Sequence, residues 1–505
     1  MIFLSGKKVH FIGVGGASMS ALIRWAKLYG AEVSGSDGAY SKTLSGLIED
    51  GFDVYVGTDE KRIDDVDIVV YTSAVSDENP ELSRARSLKK TAVERHVFLG
   101  LLSENFKKVI AVSGTHGKTT VTSLIAAILK NSGKKFTAHI GGFSNDLGGN
   151  FVRTGDEILV TEACEYKGHF LSLHPDILAI LNVECDHPDC INTLSDALSL
   201  FAELARNVPN NGLIIKNSNV KYCDLHICKN VHIENFGGAD AKWQAENIYS
   251  HGGICEYDIL RNREYYMRIR PALLGRHNVK NVLAAVAVCD ALSIDKNVMK
   301  EALENFKGVK RRLEKTGEVN GADVYVDYAH HPSEITASIS AIKPVAKNRL
   351  FVIFQPHTFS RTAKYFQEFA LSFNAADEVW FVPTYPAREK ESDGKTSFDL
   401  FRYVDENVRP AEYVKDFVTA AKKIKETARA GDVIMIMGAG DVDIIAEQIR
   451  IGLGDPLGYT QEDTAVSFLI FSVTCSRRQL CRRRICPRKC AEVRDRCRRI
   501  LSRSR

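Results

Sequence analysis

The sequence predicts an α/β protein of three consecutive domains followed by a basic tail. Two observations support this prediction. Short apolar strands alternate with helical stretches along residues 8–452, which is typical of parallel sheets with crossover helices. The 505 residues also suffice for three domains of ordinary size. We therefore expect a Rossmann-like domain at 1–106, a P-loop domain at 107–308, a second Rossmann-like domain at 309–455 and a disordered, Cys/Arg-rich tail at 456–505.

Charge is unevenly distributed along the chain. The last 31 residues carry 13 Lys or Arg and two acids, which is a net charge of +11. Because the whole chain has a net charge of +4, residues 1–474 have a net charge of −7. An acidic body gives no reason to expect nucleic acid as its partner. No apolar run is long enough to cross a membrane, and the N-terminal charges follow the apolar residues rather than preceding them. These features, with scattered cysteines before the tail, predict a cytoplasmic protein with reduced thiols and no membrane partner.

The first domain opens as a βαβ unit around a glycine turn. It comprises the strand Lys8–Val14, the helix Ser18–Leu28 and the strand Glu32–Ser36. The turn Gly13-Val14-Gly15-Gly16 has the first two glycines of a dinucleotide fingerprint, but Ser18 stands where the third belongs. Asp37, about 20 residues on, is a candidate acceptor for a ribose hydroxyl. A structural turn without a ligand remains the alternative.

The second domain carries the strongest motif. Ser113-Gly114-Thr115-His116-Gly117-Lys118-Thr119-Thr120 lies between a predicted strand, Lys108–Val112, and a predicted helix, Thr119–Asn131. Backbone N–H groups of such a loop bind phosphate oxygens, Lys118 would reach the β- and γ-phosphates, and the Thr119 hydroxyl would bind Mg²⁺. Val112 replaces the usual first glycine. The sequence predicts an ATP-binding loop.

Acidic residues follow the next predicted strands of this domain. Glu162 and Glu165 come just after Glu157–Thr161, and Asp186-His187 follows Ile177–Asn182. Because parallel strands present their carboxyl ends at one edge, we expect a Mg²⁺ site formed by Thr119, Glu165 and His187. Glu162 and Glu184 are expected to be solvated rather than to bind metal.

Three polar clusters end predicted strands of the third domain. The predicted strands Ala322–Asp327, Arg349–Phe354 and Asp432–Met437 are followed by the clusters Asp327–Pro332, Gln355–Thr362 and Gly438–Asp441, and a fourth strand is predicted at Glu378–Val382. Together they predict one rim of a site, where Arg361 would bind a carboxylate bidentately.

Eight sequence motifs occur here in the same order as in the Mur ligases, which this chain resembles. The motifs are Gly13-Val14-Gly15-Gly16, Gly114–Thr120, Glu162–Tyr166, Asp186–Asp189, Gly275–Asn278, Arg311-Arg312, Asp327–Pro332 and Gly438–Asp441. The resemblance covers residues 6–452. It implies a first domain that binds a UDP-sugar, a second that binds ATP and a third that binds nucleotide and amino acid. It further implies an ATP- and Mg²⁺-dependent ligase of peptidoglycan precursor synthesis, which joins L-alanine to the lactyl carboxylate of UDP-N-acetylmuramate through an acyl phosphate.

The resemblance also implies roles for individual residues. The catalytic residues would be Lys118, Glu165 and His187, and Mg²⁺ would be bound by Thr119, Glu165 and His187. ATP would be bound by Gly114, Thr115, His116, Gly117, Lys118, Thr119, Thr120, Asn278, Arg312 and Asp327. The UDP-sugar would be bound by Gly13, Gly15, Gly16, Ser18, Asp37 and Ser73, and the amino acid by His357 and Arg361. Two features depart from the family: Val326 stands where many members have a second Asp, and 189–200 offers no lysine for carbamylation.

Three alternatives remain open at this stage. One is a sister ligase that adds a preformed peptide to UDP-N-acetylmuramate. Another is a P-loop ATPase that acts on nucleic acid through its basic tail, and the third is an inactive UDP-sugar-binding regulator. The tail cysteines lack the paired spacing of a zinc module, so we expect a disordered extension, with RNA or anionic lipid as its alternative ligands.

Overall fold

The polypeptide forms three β-sheets within the part of the chain that the structure describes. The structure is a computed structural model, and it describes residues 3–186, 190–220 and 230–451. The predicted tail, 456–505, and His187 lie outside these ranges. No helix of the described residues combines the length and the apolar character that crossing a membrane requires.

The first sheet has five parallel strands in the order β3-β2-β1-β4-β5. The strands are β1 (Lys8–Ile12), β2 (Glu32–Asp37), β3 (Asp53–Val56), β4 (Ile68–Tyr71) and β5 (Thr91–Glu94). The helices are α1 (Ala17–Leu28), α2 (Lys42–Glu49), α3 (Pro80–Ser87) and α4 (Arg95–Ser103), with a 3₁₀ turn at Glu60–Asp65. The order reverses beside β1, so the glycine turn after β1 opens at the crevice where such sheets bind ligands.

The second sheet has ten strands in the order β15-β14-β13-β12-β11-β10-β6-β9-β7-β8. The strands are β6 (Lys108–Ser113), β7 (Phe136–Ser144), β8 (Gly149–Arg153), β9 (Ile158–Ala163), β10 (Ile177–Ile180), β11 (Leu213–Asn217), β12 (His232–Phe236), β13 (Trp243–His251), β14 (Ile254–Arg261) and β15 (Glu264–Ile269). The helices are α5 (Lys118–Asn131), α6 (Leu194–Arg206), α7 (His277–Ala291) and α8 (Lys296–Glu304), with a 3₁₀ segment at Tyr166–Ser172.

The parallel sheet predicted here is confirmed for the inner strands only. Strands β8, β14 and β15 pair antiparallel at the two edges. The β13–β14 hairpin turns through Gly252 and Gly253, both with positive φ, and the β14–β15 hairpin through Asn262 and Arg263. Positive φ at both central residues matches the right-handed twist of hairpin strands. The Gly-Gly pair in the sequence therefore indicates a β-hairpin at this position.

The third sheet has six strands in the order β16-β17-β21-β18-β19-β20, with β16 antiparallel. The strands are β16 (Glu314–Val319), β17 (Ala322–Asp327), β18 (Leu350–Phe354), β19 (Glu378–Phe381), β20 (Ala411–Tyr413) and β21 (Val433–Met437). The helices are α9 (Pro332–Ile342), α10 (Phe359–Lys364), α11 (Phe366–Ser372), α12 (Ser397–Asn407), α13 (Phe417–Thr427) and α14 (Ile444–Ile451), with 3₁₀ turns at Lys343–Val345 and Glu391–Asp393. The fold class is confirmed, whereas the boundaries at 106, 308 and 455 stay predictions.

The first two sheets share one hydrophobic core. Trp25 of α1 is fully buried and packs against Phe106 and Phe151, with ring centroids 5.6 and 5.7 Å away. Phe98 of α4 belongs to the same apolar cluster as Phe170 of the second domain. The third sheet has a separate core around β18 and β21. Apolar packing therefore joins the first domain to the second.

A buried carboxylate organises the other face of the first sheet. Glu81 is fully buried, and it accepts hydrogen bonds from the Ser36 hydroxyl (2.5 Å), the Tyr55 hydroxyl (2.5 Å) and the Asp59 N–H (2.9 Å). Burial alone would raise the pKa of Glu81, but these bonds and the adjacent His10 lower it to about 2. A buried charge with this many partners is expected to be stable only while they all remain in place.

Candidate functional site

The loop between β6 and α5 has the form of a phosphate cradle. Gly114 and Gly117 adopt φ of 142° and 86°, and a Cβ on Gly117 would come within 2.7 Å of Asn281 Oδ1. The Asn182 side chain fixes the loop through two hydrogen bonds to the His116 backbone. It accepts from the His116 N–H at 2.8 Å and donates to the His116 carbonyl at 2.9 Å. The loop N–H groups and the first turn of α5 thus share one concave site, which suits phosphate oxygens.

Lys118 lies folded across this loop. Its ammonium group donates to the carbonyl oxygens of Gly114 and Thr115 and forms an ion pair of 2.9 Å with Glu165 Oε2. The Glu165 side chain is only 2% exposed. Burial would lower the pKa of Lys118, but Glu165 raises it overall, so the ammonium stays charged. The structure thus brings together two of the residues predicted to be catalytic.

Oxygen donors surround the Lys118–Glu165 pair. Glu162 accepts from the Gly141 N–H at 2.6 Å, and the Thr119 side chain hydrogen-bonds to Glu162. Burial raises the pKa of Glu162, although its bonds to Gly141 and Thr119 and the charge of Lys118 act in the opposite direction. Hydroxyl and carboxylate oxygens in a negatively charged pocket are the donors that Mg²⁺ prefers, so the described residues fit this ion. Glu162, which was expected to be solvated, is half-buried.

A polar network joins the phosphate loop to the third domain. The His116 ring lies 3.0 Å from Glu334 Oε1, 3.3 Å from Glu184 Oε2 and 3.1 Å from the Ser333 hydroxyl, which donates to Glu184 at 2.9 Å. Burial would lower the pKa of His116, but Glu334 and Glu184 raise it to about 10. Glu184, which was expected to be solvated, keeps 42% of its side chain exposed while it takes part in this network. Sequence analysis missed Ser333 and Glu334 altogether.

Other residues predicted to bind ATP have these positions in the structure. Asn278 donates to the Leu274 carbonyl at 2.7 Å, and Arg312 lies 3.8 Å from Glu334. Asp327 accepts the N–H groups of Leu313 and Ala329 at 2.9 and 2.7 Å. Burial raises the pKa of Asp327 to about 6. Thr120 lies in the first turn of α5.

The three polar clusters of the third domain do come together. Strands β17, β21 and β18 are neighbours, and the Gln355 amide donates to Asp441 at 2.8 Å. The His357 ring stacks on Tyr385 at 5.5 Å and lies 5.9 Å from the His330 ring. This confirms that the clusters form one rim.

Arg361 connects this rim to the second domain. Its guanidinium is 2.9 Å from Asp186 Oδ1, and both side chains are 6% exposed. Within the described part of the chain, Arg361 Nη1 is buried without a hydrogen-bond partner. A buried donor left over after an ion pair is a natural contact for a second carboxylate. Arg361 can therefore hold Asp186 and an anionic ligand together.

The glycine turn of the first domain is held from within. Asp37 accepts the Gly15 N–H at 2.8 Å and the Ala39 N–H at 3.1 Å. A Cβ on Gly13 would meet Thr72 Cγ2 at 2.5 Å, and Ser73, which is half-buried, follows Thr72. Gly16 caps α1. Asp37 therefore helps to shape the turn. The UDP-sugar-binding roles of these residues stay predictions.

Ser18 links this turn to the second domain. Its hydroxyl lies 2.8 Å from His139 Nε2 and accepts from Arg95 Nη1 at 3.0 Å. Asn150 donates to the Ala17 carbonyl from the same side. His139, Arg95 and Asn150 were not identified from the sequence, since none of them lies in a motif. The turn therefore faces the crevice between the first two domains.

Comparison with known proteins identifies the class. The descriptions "Mur ligase family, catalytic domain", "Mur ligase middle domain" and "Mur ligase, glutamate ligase domain" match residues 8–107, 112–289 and 311–440. The chain belongs to the Mur ligase family, an ATP-using family of ligases. The predicted resemblance is confirmed.

Individual members of the family are similar to this chain over most of their length. The chain is 42% identical over 446 residues to a UDP-N-acetylmuramate–L-alanine ligase of Caldicellulosiruptor saccharolyticus, with 88% of this chain and 98% of the relative covered. It is 39% identical over 446 residues to the ligase of the same name from Acetivibrio thermocellus, covering 87% and 95%. The solved UDP-N-acetylmuramate–alanine ligase of Thermotoga maritima matches with a TM-score of 0.76, 29% identity and coverage of 88% and 98%.

Proposed function

We propose that this protein is the ATP-dependent ligase that joins L-alanine to the lactyl carboxylate of UDP-N-acetylmuramate in peptidoglycan precursor synthesis. The main support for the proposal is the 42% identity to the UDP-N-acetylmuramate–L-alanine ligase of Caldicellulosiruptor saccharolyticus, of which 98% is covered. The site has the features that this reaction needs. A phosphate loop with a buried lysine faces oxygen donors, and a buried arginine with a spare donor reaches in from the third domain.

The reaction begins with attack of the lactyl carboxylate on the γ-phosphorus of ATP, which releases ADP and leaves an acyl phosphate. Two anions must approach each other, so positive charge at the transferring phosphoryl group lowers the barrier. Lys118 supplies it by exchanging its bonds to the Gly114 and Thr115 carbonyls for phosphate oxygens. Thr119 and Glu165, with Glu162 beside them and His187 as predicted, would hold Mg²⁺, which supplies further charge neutralisation when bound.

In the second step the amine of L-alanine attacks the acyl carbonyl carbon, and inorganic phosphate leaves as the amide forms. Arg361 orients the amino acid through its carboxylate while remaining paired with Asp186. His357, fixed by stacking on Tyr385, borders the same space. Contacts of the His116 network between the second and third domains exclude water from the acyl phosphate. We expect this chemistry to take place in the cytoplasm.

The test is phosphate release from Mg-ATP with UDP-N-acetylmuramate and one acceptor at a time. We expect release that requires both UDP-N-acetylmuramate and L-alanine and that falls at least about a thousandfold in Lys118→Ala. Lys130→Ala, an exposed lysine near the other end of α5, is the matched control. Release with a tripeptide but not with alanine would identify the sister ligase, and release stimulated only by RNA or DNA would identify an ATPase of nucleic acid. No release in a folded sample would leave the inactive regulator.

A further inference from the structure

Two histidines and a glutamate meet where the first domain packs on the second. Glu94 ends β5 and caps α4, and His96 lies in the first turn of α4. His169 comes from the 3₁₀ segment Tyr166–Ser172 of the second domain. Their exposed fractions are 34%, 22% and 8%. Each of the three offers one ligand atom, and these atoms lie within 4.8 Å of one another.

The backbone brings these segments unusually close. A Cβ on Gly100 of α4 would lie 2.4 Å from the Ser172 carbonyl oxygen, so only glycine permits this approach. Lys167 and Gly168 adopt φ of 51° and 69°, which turns the 3₁₀ segment so that His169 reaches α4. The Tyr166 ring packs against the His169 ring in a T-shaped arrangement, with centroids 5.5 Å apart and 85° between the planes. The position of His169 is therefore built into the fold rather than left to a mobile side chain.

The distances suit a bound ion. His96 Nδ1 lies 3.2 Å and His169 Nε2 lies 3.8 Å from the same oxygen, Glu94 Oε2. A tetrahedral metal at about 2.0–2.1 Å from each ligand spaces its ligand atoms about 3.3 Å apart. The two rings are stacked with centroids 4.3 Å apart and 7° between their planes. They must open from this stack for both nitrogens to face one ion, which lowers the affinity below that of a preformed site.

Hydrogen bonding does not satisfy one ring nitrogen of His96. In the described part of the chain, His96 Nδ1 is a buried atom without an aligned hydrogen-bond partner, although a carboxylate oxygen lies 3.2 Å away. Burial lowers the pKa of His96, which leaves a neutral ring. In the other His–Glu cluster, His116 with Glu184 and His331, Ser333 and Glu334 already satisfy the His116 ring. An ion would supply the partner that His96 Nδ1 lacks.

We infer that Glu94, His96 and His169 form a binding site for a borderline divalent metal ion such as Zn²⁺, which links the first domain to the second. Two imidazoles and one carboxylate are a typical zinc ligand set, with one position left for water. Mg²⁺ would not compete, because it prefers oxygen ligands. The inference does not depend on the proposed function.

The test is Co²⁺ binding to the full chain in excess Mg²⁺, followed by visible ligand-field absorption and displaced by Zn²⁺. We expect the band in the wild type and in His251→Ala, which removes an exposed histidine of β13, and its loss in His96→Ala and His169→Ala. Glu94→Gln should weaken binding by about tenfold or more. Cysteine-bound Co²⁺ elsewhere in the chain would persist in every variant and cancel in the differences.

A second measurement guards against misfolding. With a chelator present, His169→Gln should melt within about 2 °C of the wild type, and added Zn²⁺ should raise the melting temperature of the wild type but not of the variant. Equal absorption bands in the wild type, His96→Ala and His169→Ala would overturn the inference. So would a Zn²⁺-induced rise in melting temperature that His169→Gln retains.

Discussion

The charge of His116 should make the stability of the protein fall between neutral and alkaline pH. The side chain is 17% exposed and lies between Glu334 and Glu184, which raise its pKa from 6.5 to about 10 against the effect of burial. A rise of this size corresponds to about 5 kcal/mol at most. Because the folded-state pKa is raised, the stabilisation is complete below pH 6.5 and is lost as the pH rises through about 10. Linkage gives a loss of about 2.5 kcal/mol between pH 7 and 9.

The assay is urea unfolding at pH 7, 8 and 9 without nucleotide, on the wild type and on His116→Gln. Other groups titrate in this range, so the quantity compared is the difference in unfolding free energy between the two proteins. That difference should shrink by about 2.5 kcal/mol from pH 7 to 9. His232→Gln, at an exposed histidine of β12, is the control and should follow the wild type. A difference that does not change with pH would refute the assignment of a charged His116.

Three further predictions concern other parts of the chain. Arg361→Lys keeps a positive charge beside Asp186 but loses the planar fork, so the KM for L-alanine should rise roughly tenfold in steady-state kinetics while the KM for ATP changes little. Glu81 has a depressed pKa, so its stabilisation of about 3 kcal/mol is present above pH 4.5 and is lost as the pH falls toward about 2. Glu81→Gln should therefore unfold more easily at pH 7 and lose part of the acid sensitivity seen by circular dichroism. Removal of residues 456–505 should leave ligase turnover unchanged, as measured by phosphate release.

Each of these predictions has an outcome that contradicts it. Equal rises in both KM values would place Arg361 in a general structural role. Unchanged stability of Glu81→Gln at pH 7 would mean that Ser36 and Tyr55 are satisfied without the carboxylate. Lost turnover in the shortened chain, with intact folding, would give the tail a part in the reaction.

The elements that sequence analysis predicted well carry their signals locally. The strand Ala322–Asp327 was predicted with its observed bounds, and the helix after the phosphate loop was predicted as Thr119–Asn131 and observed as Lys118–Asn131. The phosphate loop Ser113–Gly117 was recognised because Gly114, Gly117 and Lys118 fall within five consecutive residues. Local chemistry of this kind determines where an element begins and which face it presents.

The contacts between domains could not be predicted in the same way. Glu334 looks like an ordinary acidic residue in the first turn of α9, and its partner His116 lies 218 residues earlier. His96 and His169 likewise belong to no spaced motif. Such pairs depend on how whole domains pack, for which a single sequence has no periodic signal.

The shared core of the first two domains has a consequence for how the chain folds during synthesis. Trp25 and Phe98 are made early, but Phe151 and Phe170, which help to bury them, emerge from the ribosome much later. Until then the nascent first domain exposes a large apolar face, which chaperones recognise and which favours aggregation. The first domain expressed alone would carry the same exposed face permanently. The smallest autonomous folding unit at the N-terminal end is therefore the first and second domains together.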